Sequence, residues 1–166
     1  FELHFSEEKI FVDIGRRSYD RVGDIDKVET AHNVLTINKQ PAYPENRAYY
    51  NEEFRNSMVE TRPEWSRNES EVSVATKAFS RISGVGSWTR KCIFADNRLV
   101  ISDVVTGRGC YQIDRFLHTI LKPEVSGSEI ICGPIRIAGA TKPVFSKIKY
   151  WSSYGQGVDA YTIKIP

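Results

Sequence analysis

The chain has 166 residues and a mass of 18.9 kDa, the usual size of one compact domain, and we predict a single domain over residues 1–166. Its 23 Lys and Arg residues nearly balance 21 Asp and Glu residues, and the formal net charge of +2 gives no indication of a nucleic-acid partner. No apolar run approaches the roughly 18 residues that span a bilayer, so we expect no membrane partner. Because the chain opens at Phe1 inside a predicted strand, we expect it to be a fragment of a longer protein.

Apolar and polar residues alternate with period two along most of the chain, which is typical of half-buried strands. The first strands are predicted as a hairpin, with Phe1, Leu3 and Phe5 on one face and Ile10 to Val12 returning after a charged turn. The other predicted strands are Val34 to Asn38, Met58 to Arg62, Glu71 to Phe79, Thr89 to Ala95, Leu99 to Val105, Tyr111 to Leu121, Glu129 to Ile137, Val144 to Trp151 and Ala160 to Ile165. Asp96-Asn97 favours a tight turn between two of them, because both residue types accept positive φ.

Two irregular stretches interrupt the strand pattern. The first, from Gly15 to Asn33, is a long polar loop, and such loops in compact domains are usually functional or mobile. The second, from Lys39 to Asn56, carries three tyrosines that either stack on sugar faces or pack over the edge of a sheet. These tyrosines are Tyr43, Tyr49 and Tyr50.

The spacing of these elements predicts the fold class. Many short strands separated by Gly, Asn, Asp and Pro turns, with little or no helix between them, are typical of an antiparallel all-β sandwich. We expect a jelly-roll-like arrangement of the supersandwich type rather than alternating strands and helices.

The three cysteines are odd in number and far apart, which argues against a disulfide framework and against a CxxC metal site. Free cysteine is among the most buried residue types. We therefore expect Cys92, Cys110 and Cys132 to be buried structural thiols.

Two of the three histidines have structural interpretations. His4 alternates with Leu3 and Phe5, so we expect it on the solvent-facing or cross-strand side with Glu2. His118 shares a strand face with apolar residues, and we expect a core or interface histidine whose hydrogen bonds are satisfied.

The third histidine, His32, ends the polar loop, and Asp13 ends the strand before that loop. An imidazole and a carboxylate at adjacent strand ends can hold a metal such as zinc, but two ligands are too few for a site. A hydrogen bond from His32 to Asp13 that pins the loop is the default interpretation.

Several segments resemble a known family. They are Phe1-Glu2-Leu3, Val12-Asp13-Ile14-Gly15, Ser18-Tyr19, Thr30-Ala31-His32-Asn33-Val34, Ile37, Leu99-Val100-Ile101-Ser102-Asp103, Arg115-Phe116-Leu117-His118 and Lys122-Pro123-Glu124. In order and spacing they are similar to the C-terminal β-sandwich domain of heparinase II/III-like polysaccharide lyases, over essentially the whole chain. The family commonly has Asp-Pro-Gly where this chain has Asp13-Ile14-Gly15.

The resemblance implies a parent lyase that cleaves uronate-containing acidic polysaccharides by β-elimination, in a cleft between this sandwich and an N-terminal α/α toroid that is absent here. It implies that Asp13 and His32 are ligands of a structural zinc, with a further histidine just upstream of Phe1. It places the catalytic residues on the toroid or upstream of Phe1, so we expect none in this chain and no activity from it alone. A periplasmic or secreted parent is favoured.

The polar loop suggests one wall of the cleft, because guanidinium groups bind carboxylate or sulfate in bidentate fashion. The residues assigned to substrate binding are Arg16, Arg17, Tyr19, Arg21 and Asn33. Alternatively, the loop arginines are neutralised by nearby aspartates in a solvated loop. These are Asp20, Asp24 and Asp26.

Two other functions remain open from the sequence. One is a non-catalytic carbohydrate-binding sandwich, indicated by Trp65 and the tyrosines near the irregular stretches. The other is a purely structural domain that supports its neighbour. Fold does not fix function, so the resemblance favours the lyase without deciding between these.

Overall fold

The computed structural model describes residues 1–15, 29–44, 46, 51–95, 97–139 and 142–166. Of these, 55% lie in strands and 8% in helix, which confirms the predicted antiparallel all-β sandwich class. Every strand ladder among the described residues is antiparallel. The chain divides into two compact units, one formed by Phe1–Gln40 with Gln112–Pro166 and the other by Pro41–Tyr111.

The described residues contain thirteen strands, one α-helix and a 3-10 turn over Glu29–Ala31. The helix, α1, spans Glu52–Glu60. The strands are β1 (Leu3–Phe5), β2 (Glu8–Phe11), β3 (Leu35–Ile37), β4 (Glu64–Arg67), β5 (Glu71–Thr76), β6 (Val85–Ala95), β7 (Arg98–Gly107), β8 (Ile113–Thr119), β9 (Glu124–Ser126), β10 (Glu129–Cys132), β11 (Ile135–Ile137), β12 (Val144–Ser153) and β13 (Gln156–Ile165).

The first unit consists of the β1–β2 hairpin and two larger sheets. One sheet has the order β12-β13-β8-β3, and the other has the order β11-β10-β9. Ile130 and Cys132 from the three-stranded sheet pack on Ile163 and Ile165 from the four-stranded sheet. Both pairs of residues are two apart, so strand alternation directs them to one face and forms the layer between the sheets.

A second cluster of the first unit lies next to the hairpin. Val12 packs there with Tyr150 and Ala160, so the chain leaving β2 is held against β12 and β13. Full burial of a side chain such as Val12 stabilises the fold by about 1.5–3 kcal/mol. This packing fixes the end of β2, where Asp13 lies.

The second unit is built on one sheet with the order β4-β5-β6-β7. Its two longest strands, β6 and β7, are joined at Asn97, whose φ of 58° confirms the predicted tight turn at that residue. Phe79 is fully buried and meets Trp88 edge to face, with ring centroids 5.7 Å apart. This aromatic pair is part of the core of the unit.

Two strand predictions are wrong in the type or the number of elements that form. Met58 to Arg62 is not a strand, because the helix α1 continues to Glu60. The Asn51 side chain accepts a hydrogen bond from Phe54 N at 2.9 Å and caps the helix, so local capping prevails over a short apolar pattern. Glu129 to Ile137 forms two strands, since Gly133 reverses the chain with a φ of 55°.

Two short strands, β4 and β9, were not predicted from the alternation. All residues of both strands are exposed, so neither strand has a buried face that would produce a period-two pattern in the sequence. Among the described residues, no helix has the length and apolar character needed to cross a membrane.

Candidate functional site

Asp13 and His32 lie together in the first unit, although 18 residues separate them in the chain. The His32 Nδ1 atom and the Asp13 Oδ2 atom are 2.5 Å apart. Asp13 follows β2, and His32 stands between the 3-10 turn and β3. The predicted hydrogen bond between the two side chains is thus present, and we call them the Asp13–His32 pair.

Asn33 holds the two segments in this arrangement. Its Nδ2 atom donates to the carbonyl oxygens of Phe1 at 2.6 Å and Val12 at 3.0 Å. Its Oδ1 atom accepts from His118 N at 2.8 Å, and the residue is only 2% exposed. Asn33 therefore ties β8 and the chain on both sides of the hairpin to the start of β3. The predicted contact with substrate would require this side chain to leave those bonds.

Each partner of the pair is also fixed by its own backbone. Gly15 N donates to Asp13 Oδ1 at 3.2 Å, and His32 N donates to Glu29 O at 3.0 Å. Gly15 has a φ of 69°, and a Cβ at this position would collide with the carbonyl oxygen of Trp151. Only glycine fits there, so the turn that orients Asp13 depends on it.

The environment shifts both pKa values in directions that favour an ion pair. The hydrogen bond from His32 lowers the pKa of Asp13 below its ordinary value, although partial burial opposes this shift. The same bond raises the pKa of His32 against the opposing effect of burial. With the side chains 46% and 45% exposed, water screens the pair, and its net stabilisation is about 1 kcal/mol or less.

The two other histidines have the predicted structural environments. His4 is exposed, and its Nε2 atom lies 3.4 Å from Glu2 Oε2. His118 is buried, with Nδ1 at 3.0 Å from Thr162 Oγ1 and Nε2 at 2.9 Å from Thr30 O. A carbonyl only accepts, so Nε2 carries the proton and Nδ1 accepts from the threonine. Burial lowers the pKa of His118, which is consistent with a neutral core histidine.

Glu2 contacts Asp13, Lys9 lies near Glu2, and Tyr150 packs with Val12; none of the three was predicted as a site residue. Glu2 Oε1 accepts from Asp13 N at 3.3 Å. Lys9 Nζ donates to the Tyr150 hydroxyl at 3.0 Å, and this bond raises the pKa of Lys9. Lys9 lies opposite His4 in the hairpin, and Glu2 is two residues before His4. The predicted hairpin could therefore have indicated that Lys9 and Glu2 lie close together. Tyr150 lies 141 residues from Lys9, and no local pattern could have found it.

Most of the predicted substrate-binding loop lies outside the described residues. Arg16, Arg17, Tyr19 and Arg21 fall there, as do Tyr49 and Tyr50 of the second irregular stretch. In the second unit, the ring of Tyr43 meets that of Phe54 at 6.2 Å, and Trp65 is 69% exposed.

The prediction of three buried thiols is wrong for Cys110. Cys132 is buried and Cys92 is half-buried, but Cys110 is exposed. Cys110 follows β7 at a turn where Gly107 and Gly109 both have positive φ, so it lies outside the strands and their buried faces.

The donor atoms of the Asp13–His32 pair suit zinc, which binds carboxylate oxygen and imidazole nitrogen. A structural zinc needs four ligands, however, and the described residues hold no group of three or more His, Cys, Asp or Glu side chains suited to a metal. The pair therefore fits as part of a zinc site and not as a whole one.

Comparison with known proteins finds no matching family model and no match among curated proteins.

Proposed function

We propose that this chain is the β-sandwich domain of a longer polysaccharide lyase of the heparinase II/III-like type. The parent cleaves uronate-containing acidic glycans by β-elimination, and this domain forms one wall of the substrate cleft. The observation that carries the proposal is the 2.5 Å contact between His32 and Asp13. These are the two residues at which the sequence resembles the zinc ligands of that family, and the fold class is the one that the resemblance implies.

The metal part of the proposal assigns Asp13 and His32 as two ligands of a structural zinc, with further ligands from outside this chain. Phe1 supports this assignment. Its carbonyl oxygen accepts a hydrogen bond from Asn33, the neighbour of His32. A residue that precedes Phe1 would thus enter close to the pair. Zinc held there would fasten the hairpin to the start of β3.

The chemistry assigned to the parent determines which steps this domain and which steps other parts of the parent carry out. β-Elimination needs the uronate carboxylate neutralised, the C5 proton removed and the departing O4 protonated. Arg16, Arg17 and Arg21 are proposed to neutralise carboxylates, because bidentate guanidinium pairing suits that group. Tyr19 completes the proposed substrate wall, whereas Asn33 is buried and supports the wall from behind through its hydrogen bonds to Phe1, Val12 and His118. We assign the two proton transfers to residues outside this chain.

A lyase assay tests the proposal. The full-length protein that contains this chain is incubated with a panel of acidic polysaccharides, and the unsaturated uronate product is followed by its ultraviolet absorbance. The panel includes sulfated and unsulfated uronate polymers, with a neutral glucan as the control. We expect product from at least one uronate polymer and none from the glucan, while the isolated 166-residue chain gives none. Turnover by the isolated chain, or silence of the full-length protein over the whole panel, would overturn the proposal.

A further inference from the structure

One face of the sheet in the second unit carries an unusual set of side chains. The register pairs Trp65 with Val74 and Val74 with Arg90, so these three form one row across β4, β5 and β6. Arg67 pairs with Val72 in the adjacent row. Directly paired residues share a face of the sheet. We call these five residues, Trp65, Arg67, Val72, Val74 and Arg90, the Trp65 face.

The Trp65 ring is open to solvent in a way that the other tryptophan on the same side of the sheet is not. Trp65 is 69% exposed, and its neighbour Val72 is 38% exposed. Trp88, in contrast, packs against Phe79 and donates from Nε1 to Asp103 Oδ1 at 2.9 Å. Trp88 thus stabilises the fold, whereas Trp65 presents a flat aromatic surface to the solvent beside further apolar surface. Such exposed apolar surface often marks a binding site.

The charges of the Trp65 face leave one uncompensated cation. Arg90 forms a bidentate ion pair with Asp103, with Nε to Oδ1 at 2.8 Å and Nη2 to Oδ2 at 3.1 Å. Arg67 is exposed, and no ion pair or side-chain hydrogen bond joins its guanidinium group to a described residue. Arg67 lies two residues after Trp65 on the same strand face, at a spacing of about 7 Å. A single anionic group bound next to the aromatic ring would match this arrangement.

We propose that the Trp65 face is a binding site for an acidic glycan, in which Trp65 stacks on a pyranose ring and Arg67 pairs with the uronate carboxylate. A flat, exposed ring next to one cation fits a ligand that carries one negative charge per ring. A nucleic-acid strand is disfavoured, because its phosphates require a track of several cations and the face provides one that is unpaired.

This site goes beyond the proposed lyase domain and shares with it only the acidic class of ligand. It belongs to the second unit, whereas the Asp13–His32 pair belongs to the first unit. It has no part in bond cleavage and serves to hold the polymer. Its success or failure is therefore measured by binding, independently of lyase turnover and of zinc.

The test is calorimetric titration of the 166-residue chain with a tetrasaccharide of galacturonate, with the matching neutral galactose tetrasaccharide as second probe. Trp65→Ala is expected to weaken binding of both probes about tenfold or more, because the stacking surface is lost. Arg67→Ala is expected to weaken binding of the acidic probe alone by about tenfold. Trp65→Phe, which keeps a ring, is expected to retain most of the affinity and guards against a folding defect in Trp65→Ala.

Arg98 provides the matched control variant. It is an exposed arginine of the same sheet and pairs with Ala95 on β6. Ala95 lies five positions after Arg90 on that strand, and an odd separation places Ala95 and Arg98 on the side of the sheet opposite to the Trp65 face. Arg98→Ala is expected to bind both probes like the wild type. Absence of acidic-glycan binding by the wild type, or equal binding by wild type, Trp65→Ala and Arg67→Ala, would overturn the proposal. So would tighter binding of a single-stranded oligonucleotide that Trp65→Ala abolishes. Lyase activity of the full-length protein alongside any of these failures would leave the proposed function standing.

Discussion

Asn33 shows how one side chain can determine where two others meet. The hydrogen bonds of its side-chain amide to Phe1, Val12 and His118 hold the end of the hairpin against the start of β3. The sequence predicted that Asp13 and His32 face each other, because both lie at strand ends around one loop. It did not predict that Asn33, the residue after His32, is buried and forms the hydrogen bonds that hold these segments together. An asparagine in a polar segment carries no local sequence signal of burial.

The Asp13–His32 pair should make the stability of the metal-free chain depend on pH. The pKa of His32 is raised, so its contribution is complete below the ordinary value of about 6.5 and is lost as pH rises through the raised value. The pKa of Asp13 is lowered, so its contribution is present above about pH 4 and is lost in stronger acid. We therefore expect the pair to stabilise the fold most between about pH 4 and 6.5.

Urea unfolding of the wild type and His32→Ala, with a chelator present, measures this effect. The difference in the free energy of unfolding is expected to be larger at about pH 5.5 than at about pH 8.5, by about 0.5–1 kcal/mol. Titratable groups remote from the pair are common to both proteins and cancel in the difference. A difference that stays constant or grows toward pH 8.5 would rule out the ion pair as its source.

The cysteines should react in the order of their exposure. Cys110 is exposed, Cys92 is half-buried with its pKa raised by burial, and burial raises the pKa of Cys132 to about 11. Because the thiolate is the reactive form, brief alkylation of the native chain should label Cys110 first and Cys132 only on unfolding. Peptide mapping by mass spectrometry identifies the labelled sites, and Cys110→Ser should remove the fast phase. Labelling of Cys132 as fast as Cys110 would contradict the burial seen here.

At the scale of elements, the long strands were predictable and the short ones were not. Apolar and polar residues alternate over much of β6 and β7, and Asn97 joins the two strands with a positive φ. The periodicity and the turn residue therefore predict the same hairpin. The helix α1 was missed because it buries no residue and has no apolar stripe to predict it. What starts it is the side chain of Asn51, a local contact that a search for alternation does not detect.

Two ion pairs of the β12-β13-β8-β3 sheet should differ sharply in how much each contributes to the free energy of unfolding. Asp114 is 2% exposed and bonds Lys164 Nζ at 2.9 Å, whereas Asp159 is 81% exposed and bonds Lys149 Nζ at 2.6 Å. Asp114→Ala removes the buried partner and leaves a half-buried Lys164 unpaired, which is expected to cost about 1–3 kcal/mol. Asp159→Ala is expected to change little, because water screens the exposed pair.

Chemical denaturation of the two variants, compared with the wild type, checks this expectation. Asp114→Asn keeps the shape of the side chain and separates loss of charge from loss of packing. Equal destabilisation by Asp114→Ala and Asp159→Ala would show that burial does not decide the value of these pairs.

At the scale of the whole molecule, alternation and turn residues were sufficient to predict an antiparallel all-β class. They did not predict that the first unit is assembled from both ends of the chain, with residues 41–111 forming the second. Strand alternation reports which face of a strand is buried, but not which distant strand covers it. Ile163 packing against Ile130, between strands distant in the chain, is such a long-range contact.

The Asp13–His32 pair is proposed to support the cleft of a polysaccharide lyase by holding zinc. The most direct measurement is the rate of unsaturated uronate formation by the full-length protein, together with its zinc content, for wild type, His32→Ala and the control His4→Ala. We expect wild type and His4→Ala to contain zinc and form product, and His32→Ala to lose zinc and at least tenfold in rate. A wild type without zinc or product, or a His32→Ala variant that keeps both, would contradict the claim.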